Sequence, residues 1–356
     1  MTSLMVSIVM SVFNGDRFLH EAVESILDQS FREFEFIIID DGSTDRSASI
    51  LSSYQDRDGR VKVHHREHGG LIESLNHGCS LARGKYIARM DADDVAAKDR
   101  LRLQVDFMEV HSDIGVLGGG VEWIDATGSS LGIHRHPSDD KEIKATLLHR
   151  CAFWHPTVVL RREVFVWAGG YRRVVVDAED YDLWLRISEH AQVANLEAVL
   201  LKYRIHPYQV SMRMTTRQTL SILAAQVAAS SRRSGKPDPL NAVEEITIPL
   251  LTGWGVTKPM LQSELTSRRS EWIRHMCIAG EYSVALTAAL ETLQPDLHDV
   301  ERWQIANLHL TVAWLYWVQK RFAKSLLAAI HAVAVRPAVA GRPLKLLLRR
   351  VGLAQA

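Results

Sequence analysis

Tyr86-Ile87-Ala88-Arg89-Met90 runs directly into Asp91-Ala92-Asp93-Asp94, and that junction decides how the chain is read. The first five residues have the length and apolar character of a short buried strand. Clustered carboxylates at the end of a parallel strand lie on the sheet edge where such folds bind ligands. Oxygen donors of that kind suit a hard divalent cation holding a diphosphate. Taken alone, an acidic triplet fits a solvated turn equally well, so the neighbouring sequence has to settle its meaning.

Upstream lie three more strand-like runs. Met5 to Val12 is rich in β-branched residues and is closed by Asn14-Gly15; Phe34 to Ile39 is apolar on both faces and breaks at Asp40-Asp41-Gly42-Ser43-Thr44-Asp45; Val61 to His65 is shorter. Between them, Phe18, Leu19, Ala22, Val23, Ile26 and Leu27 recur at helical spacing. Further helices are predicted over 45–54 and 70–83, the latter with Leu71, Ile72, Leu75 and Cys79 facing inward. Strands alternating with helices predict an α/β fold with a mainly parallel sheet covered on both faces. Its carboxyl edge would be polar at three places: Phe13 to Asp16, Asp40 to Asp45 and Asp91 to Asp94.

Downstream, a helix is expected over Leu101 to Met108. Ile114 to Ile124 reads as a strand whose Gly118-Gly119-Gly120 passes close to other backbone. Glu179-Asp180-Tyr181-Asp182 opens another helix, since acidic residues before an apolar stripe mark a helix start. Residues 202–211 close a first domain of residues 1–211. The remainder, 212–356, is α-helical in character, with a break at Gly235-Lys236-Pro237-Asp238-Pro239. Gly280-Glu281-Tyr282 and Lys320-Arg321-Phe322 head similar segments that resemble the second helices of tetratricopeptide-like repeats. Tyr282 and Phe322 are 40 positions apart, more than the usual repeat of about 34, and a plain helical bundle fits as well.

The chain has 356 residues, 47% apolar and 24% charged, enough for one large core and a smaller one. Lys+Arg and Asp+Glu balance at 42 each, and no tract interleaves basic and aromatic residues, so no nucleic-acid partner is expected. The balance fails after Glu301, where no Asp or Glu follows and nine Lys and Arg do. Cys79, Cys151 and Cys277 form no CxxC pair or disulfide framework, which fits a reducing compartment. No basic n-region opens the chain, and no run reaches about 18 apolar residues, so a cytoplasmic protein is expected. Trp303, Trp314, Tyr316 and Trp317, with Leu344 to Leu348 among arginines, suit peripheral contact with the inner face of the cell membrane or, alternatively, packing on the first domain.

Seven pieces stand in order: Ser11-Val12-Phe13-Asn14, Asp40 to Asp45, Asn76 with Gly78, Ala82-Arg83-Gly84-Lys85-Tyr86-Ile87, Asp91 to Asp94, Glu179-Asp180, and Tyr203-Arg204 with His206. Together they resemble the family 2 glycosyltransferases, whose catalytic domain has the nucleotide-sugar-binding GT-A fold. Ser11 stands where that family often has proline. The resemblance implies a transferase that moves a sugar from a nucleoside-diphosphate sugar, with a lean toward uridine, to a saccharide or lipid-linked acceptor, with inversion. It implies Mg²⁺ or Mn²⁺ ligated by Asp93, with His206 adding an imidazole. Donor contacts fall to Val12, Phe13, Asn14, Asp41, Asn76 and Asp91, with Asp41 on the base and Asp91 on the ribose or the metal's water shell. Asp180 is implied as the base that deprotonates the acceptor, and Trp154 and His155 as acceptor-side residues.

Each assignment has a plainer alternative. Asp41 and Asn14 suit turns, Asp180 suits a helix cap, His206 suits an ordinary satisfied histidine, and Trp184 suits the core better than a sugar. A competing reading is a catalytically inactive GT-A domain that binds partners through its helical region. The joint presence of Asp41, Asp91, Asp93, Asp180 and His206 argues against it. A sugar-phosphate nucleotidyltransferase would need a Gly-rich basic phosphate loop near the first strand, and none is there.

Overall fold

A computed structural model describes residues 4–206, 215–294 and 297–340. Seven elements follow the expected alternation: β1 (Val6–Val12), α1 (Leu19–Leu27), β2 (Phe34–Asp40), α2 (Ser47–Arg57), β3 (Val61–His65), α3 (Leu71–Leu81) and β4 (Tyr86–Met90). They pair in the order β3-β2-β1-β4, all parallel. Every residue of β2 and β4 is buried, as continuous apolar runs require when helices cover both faces. Helix α1 buries Leu19, Ala22, Val23, Ile26 and Leu27, each large aliphatic contributing about 1.5–3 kcal/mol relative to exposure. Helix α3 packs tightly at Gly78, where a Cβ would meet Val9 Cγ1 at 2.6 Å. That contact explains why the motif has glycine there.

Beyond β4 the sheet becomes mixed. β8 (Val159–Arg161) pairs antiparallel with both β4 and β6 (Ile114–Ile124), and β9 (Gln192–Arg204) pairs parallel with β6. The two-residue β5 (Val95–Ala96) and the hairpin strand β7 (Ser130–His134) complete a 9-stranded sheet. The β6–β9 register shifts on either side of Gly120, in the glycine triplet expected to approach other backbone. Covering helices here are α4 (Arg100–Val110), α5 (Asp140–Leu147), α6 (Arg162–Trp167) and α7 (Glu179–Ser188).

The register of the first strands positions the site. Val12 lies opposite Asp40, and Met10 opposite Met90. The loops starting at Phe13, Asp41 and Asp91 therefore leave one edge side by side. With strands about 4.8 Å apart, the outer two of these loops begin roughly 10 Å apart.

The chain divides into two compact units, Met1–Arg204 with Ala224–Ile246, and Ile205–Leu223 with Thr247–Ala356. Where the sequence reading expects a boundary at residue 211, the first compact unit ends at Arg204 and later takes back 224–246. The reason is an ionic network. Arg232, near the end of α8 (Thr215–Arg233), donates to Glu189 at 2.7 and 2.8 Å and to Asp238 at 2.6 Å, while Arg172 donates to Asp238 at 2.7 Å. No apolar periodicity announces such a link.

In the second unit, α9 (Ile248–Gly253) precedes two helical hairpins, α10 (Lys258–Ile278) with α11 (Tyr282–Thr292), and α12 (Arg302–Val318) with α13 (Phe322–Val335). Both turns are built alike. Gly280 and Lys320 take φ of +81° and +60°, and the following N–H groups of Glu281 and Arg321 return to Met276 O at 2.9 Å and Tyr316 O at 2.8 Å. That is a left-handed helix stop in each case, and it accounts for the similarity of the two sequence segments. Leu344 to Leu348 and their arginines lie outside the described residues.

Candidate active site

Asp91, Asp93 and Asp94 turn off the end of β4 so that one ligand oxygen from each lies within 4.8 Å of the others. Burial raises the Asp91 carboxyl above its ordinary range, although Arg89 opposes the shift. Asp94 is pushed well above it by burial and by the charges of Asp93 and Asp91. One Asp94 oxygen accepts the Arg204 backbone N–H at 2.8 Å; the other, Oδ2, is buried with no hydrogen-bond partner. Like charges at this spacing are costly in a partly desolvated edge. A hard divalent cation would relieve both the repulsion and the orphaned oxygen, so the donor set fits Mg²⁺ or Mn²⁺.

Two arginines that the motif reading passed over organise these carboxylates. Arg89, 4% exposed in the middle of β4, forms an ion pair with Asp91, and its Nε is buried without a hydrogen-bond partner. Arg100 on α4, fully buried, donates to the Arg89 carbonyl at 2.7 Å and braces the strand end. An arginine inside a strand with no exposed residue was the available sequence signal, because such a charge needs a partner. Arg204 closes the far side: its Nε donates to Asp93 O at 2.8 Å, its guanidinium stacks 4.4 Å from the Phe18 ring centroid, and it pairs with Glu21. The Tyr203-Arg204 pair is therefore a clamp on the acidic loop.

Asp180, the second residue of α7, shares this field. Burial pushes its carboxyl up to about 6; the Tyr181 N–H and Arg89 work against that rise and the Asp91 charge adds to it. Beside it Glu179 reaches about 8, through burial and then the charge of Asp180. Asp182, a rival for the same role by sequence, is fully buried and bound to Arg186 at 2.9 Å and Arg172 at 3.5 Å. Asp180 is thus the least buried carboxylate of the three and the one that feels the Asp91 charge.

Along the same edge, Phe13 is 48% exposed and stacks on His68 with ring centroids 4.0 Å apart. Val12 is buried and its carbonyl accepts the Asp41 N–H at 2.8 Å. Asn14 adopts φ of +51° and its side-chain oxygen accepts the Thr44 N–H at 2.8 Å, while Asp45 and Ser47 take the N–H groups of Asp16 and Gly15. The first two edge loops are therefore laced together, with Asn14 as a turn residue.

Asp41 is 1% exposed. Its carboxylate accepts from Gly69 N–H at 3.0 Å, Gly70 N–H at 2.8 Å and Ser74 Oγ at 2.8 Å, and lies 2.9 Å from His68 Nδ1. It anchors the loop leading into α3 rather than forming a simple turn with Gly42. Asn76 is similarly committed: its amide donates to Tyr171 O at 2.8 Å and accepts Tyr171 N–H at 3.0 Å. These two bonds hold the backbone at Tyr171.

The Tyr171 hydroxyl meets His155 Nε2 at 2.8 Å, and burial keeps that imidazole well below its usual range, hence neutral near pH 7. Trp154 packs against Trp123, His136 and Tyr203 at centroid distances of 5.8, 4.7 and 5.5 Å, and its indole N–H is buried without a hydrogen bond. Burial, then Asp94, Asp91 and Asp93, push the Tyr203 hydroxyl well up, so this aromatic wall adjoins the acidic cluster. Trp184 is fully buried and packs near Phe153 and His155, a core residue. His206 is buried and falls two residues beyond β9, at the first residues of the second unit.

A curled mixed sheet with carboxylates gathered beyond its parallel strands defines a GT-A type glycosyltransferase. Comparison with known proteins supports that class directly. Residues 7–167 match the family model described as Glycosyl transferase family 2. The Escherichia coli O-antigen biosynthesis glycosyltransferase WbnJ is 35% identical over 206 residues, covering 57% of this chain and 80% of WbnJ. The putative glycosyltransferase EpsE of Bacillus subtilis is 37% identical over 204 residues, 56% of this chain and 72% of EpsE. The chain belongs to glycosyltransferase family 2.

Among solved structures, S. aureus TarS 1-349 in complex with UDP-GlcNAc superposes with a TM-score of 0.52 at 16% identity, covering 92% of this chain and 90% of that one. The Pyrobaculum calidifontis mannosyltransferase PcManGT, in complex with GDP-Man and Mn2+, gives 0.51 at 18% identity, covering 92% and 86%. At these identities the likeness concerns the fold.

Proposed function

We propose that this enzyme transfers a sugar, with inversion, from a nucleoside-diphosphate sugar to a saccharide or lipid-linked acceptor in polysaccharide or glycolipid biosynthesis. The observation that carries the reading is the gathering of Asp91, Asp93 and Asp94 at one sheet edge, with the Asp91 charge also felt at the Asp180 carboxyl. The solved neighbours' complexes, with UDP-GlcNAc in one and with GDP-Man and Mn2+ in the other, support the donor class and the cation. Uridine is the base we favour, through the resemblance to the family.

Asp93, with Asp91 and Asp94 beside it, would hold Mg²⁺ or Mn²⁺. When bound, that cation neutralises charge developing on the diphosphate. The exposed Phe13 face and the laced loop at Asn14 receive the base and ribose, and Asp41 fixes the 66–70 loop that walls them. Asp180 accepts the acceptor's hydroxyl proton as that oxygen bonds to the anomeric carbon and the bond to the diphosphate oxygen breaks. One carboxylate and a single displacement give inversion. Trp154 and His155 shape the acceptor side, His155 as a neutral ring fixed by Tyr171.

Isothermal titration of UDP and of GDP in the presence of Mn²⁺ tests the reading. Binding by the unaltered enzyme and its loss in Asp93→Ala is the expected result, whereas equal binding with the metal chelated contradicts it.

A further inference from the structure

Helix α13 packs Ala328, Ala332, Val333 and Val335 inward but carries its larger apolar residues on the solvent side. It buries only Ala328 and Ala332, while Phe322, Leu326, Leu327 and Ile330 are 53%, 64%, 54% and 53% exposed. At about 100° per residue these four fall within an arc of about 140°, so they form one stripe. Trp317, 44% exposed, meets Phe322 with ring centroids 4.9 Å apart and carries the stripe onto the preceding helix. A contiguous exposed patch of this kind marks a binding surface.

The rim of the patch names its partner. Lys320, Arg321 and Lys324 are exposed beside it, with Arg321 and Lys324 lying 5.0 and 5.9 Å from the Tyr316 ring centroid. No Asp or Glu occurs from residue 302 to the last residue. A second copy docked face to face would set cations against cations. An apolar surface bearing negative charge complements both features, and tryptophan beside cations suits the interface of an anionic bilayer.

We propose that this face seats the protein on an anionic lipid surface. The helix lies in the interfacial plane with Leu326, Leu327 and Ile330 toward the acyl boundary and Lys320, Arg321 and Lys324 on lipid phosphates. It does not span: at 14 residues it is shorter than the roughly 20 a bilayer requires, and no described helix is long and apolar enough to cross one. The link to the proposed function is that a lipid-linked acceptor would be met there. Because binding is read without donor or metal, its failure would leave the transfer reading standing.

The test floats the full chain with phosphatidylcholine vesicles and with vesicles rich in phosphatidylglycerol. The protein should rise with the anionic vesicles only, and less so at high salt. The triple variant Phe322→Gln, Leu326→Gln, Ile330→Gln should lose about tenfold or more of that binding while keeping its circular dichroism melt. Should that variant misfold, quenching of tryptophan fluorescence in the unaltered protein by brominated phosphatidylglycerol reads the same contact. Three results would overturn the proposal: no binding or quenching with anionic vesicles, equal binding by the folded variant, or a solution dimer that the variant dissolves.

Discussion

Asp180 and Glu179 are adjacent carboxyls with different fates. Glu179, 4% exposed and held up to about 8, stays protonated at neutral pH and serves the packing of α7. Asp180, at about 6, is ionised there, the state that the proposed general base requires. Removing its basicity through Asp180→Asn should leave nucleotide binding by calorimetry intact and lower turnover by about 10²–10⁴-fold. Because the proposed base works as the anion, kcat/KM of the unaltered enzyme should fall as pH drops through about 6. A flat acid limb, or retained turnover in the variant, would remove Asp180 from that role. The place of these residues in the ordered motifs was legible in the sequence. Their protonation was not, since it depends first on burial and then on charges such as Arg89 on β4.

At the level of elements, the parallel half of the sheet was readable because apolar runs on both faces alternate with amphipathic helices. The antiparallel insertion of the three-residue β8 was not, because its pairing with β4 and β6 leaves no periodic signature. The two helix stops of the second unit offer a direct comparison. Gly280 takes its left-handed conformation freely, whereas Lys320 holds φ of +60° against a steric cost of about 1–2 kcal/mol. Replacing it, Lys320→Gly should stabilise the second hairpin by up to about 1 kcal/mol, visible as a higher thermal midpoint. A lower midpoint would mean that the lysine side chain contributes more than its backbone costs. Reading Lys320-Arg321-Phe322 beside Gly280-Glu281-Tyr282 anticipated a shared structure, but not that both pieces would begin with a positive φ.

At the scale of the whole molecule, the first unit is not a continuous stretch of chain. Arg232 and Asp238 return to pair with Glu189 and Arg172, and deleting them takes the partner from Glu189 and leaves Arg172 only its longer contact with Asp182. A chain ending at residue 246 should therefore stay soluble and melt cooperatively, while one ending at 204 should melt lower or aggregate; equal melts would show the return segment to be dispensable. By itself, the sequence determined the alternation of strands and helices, the family, and which side chains stand at strand ends, since these follow from local periodicity and short motifs. Only the tertiary structure decided that Arg89 and Arg204 grip the acidic loop, that Asp41 and Asn76 are bound to backbone, and that 224–246 belongs to the first unit. Those outcomes depend on contacts between residues far apart in the chain, where burial and charge pairing act and local pattern carries no trace.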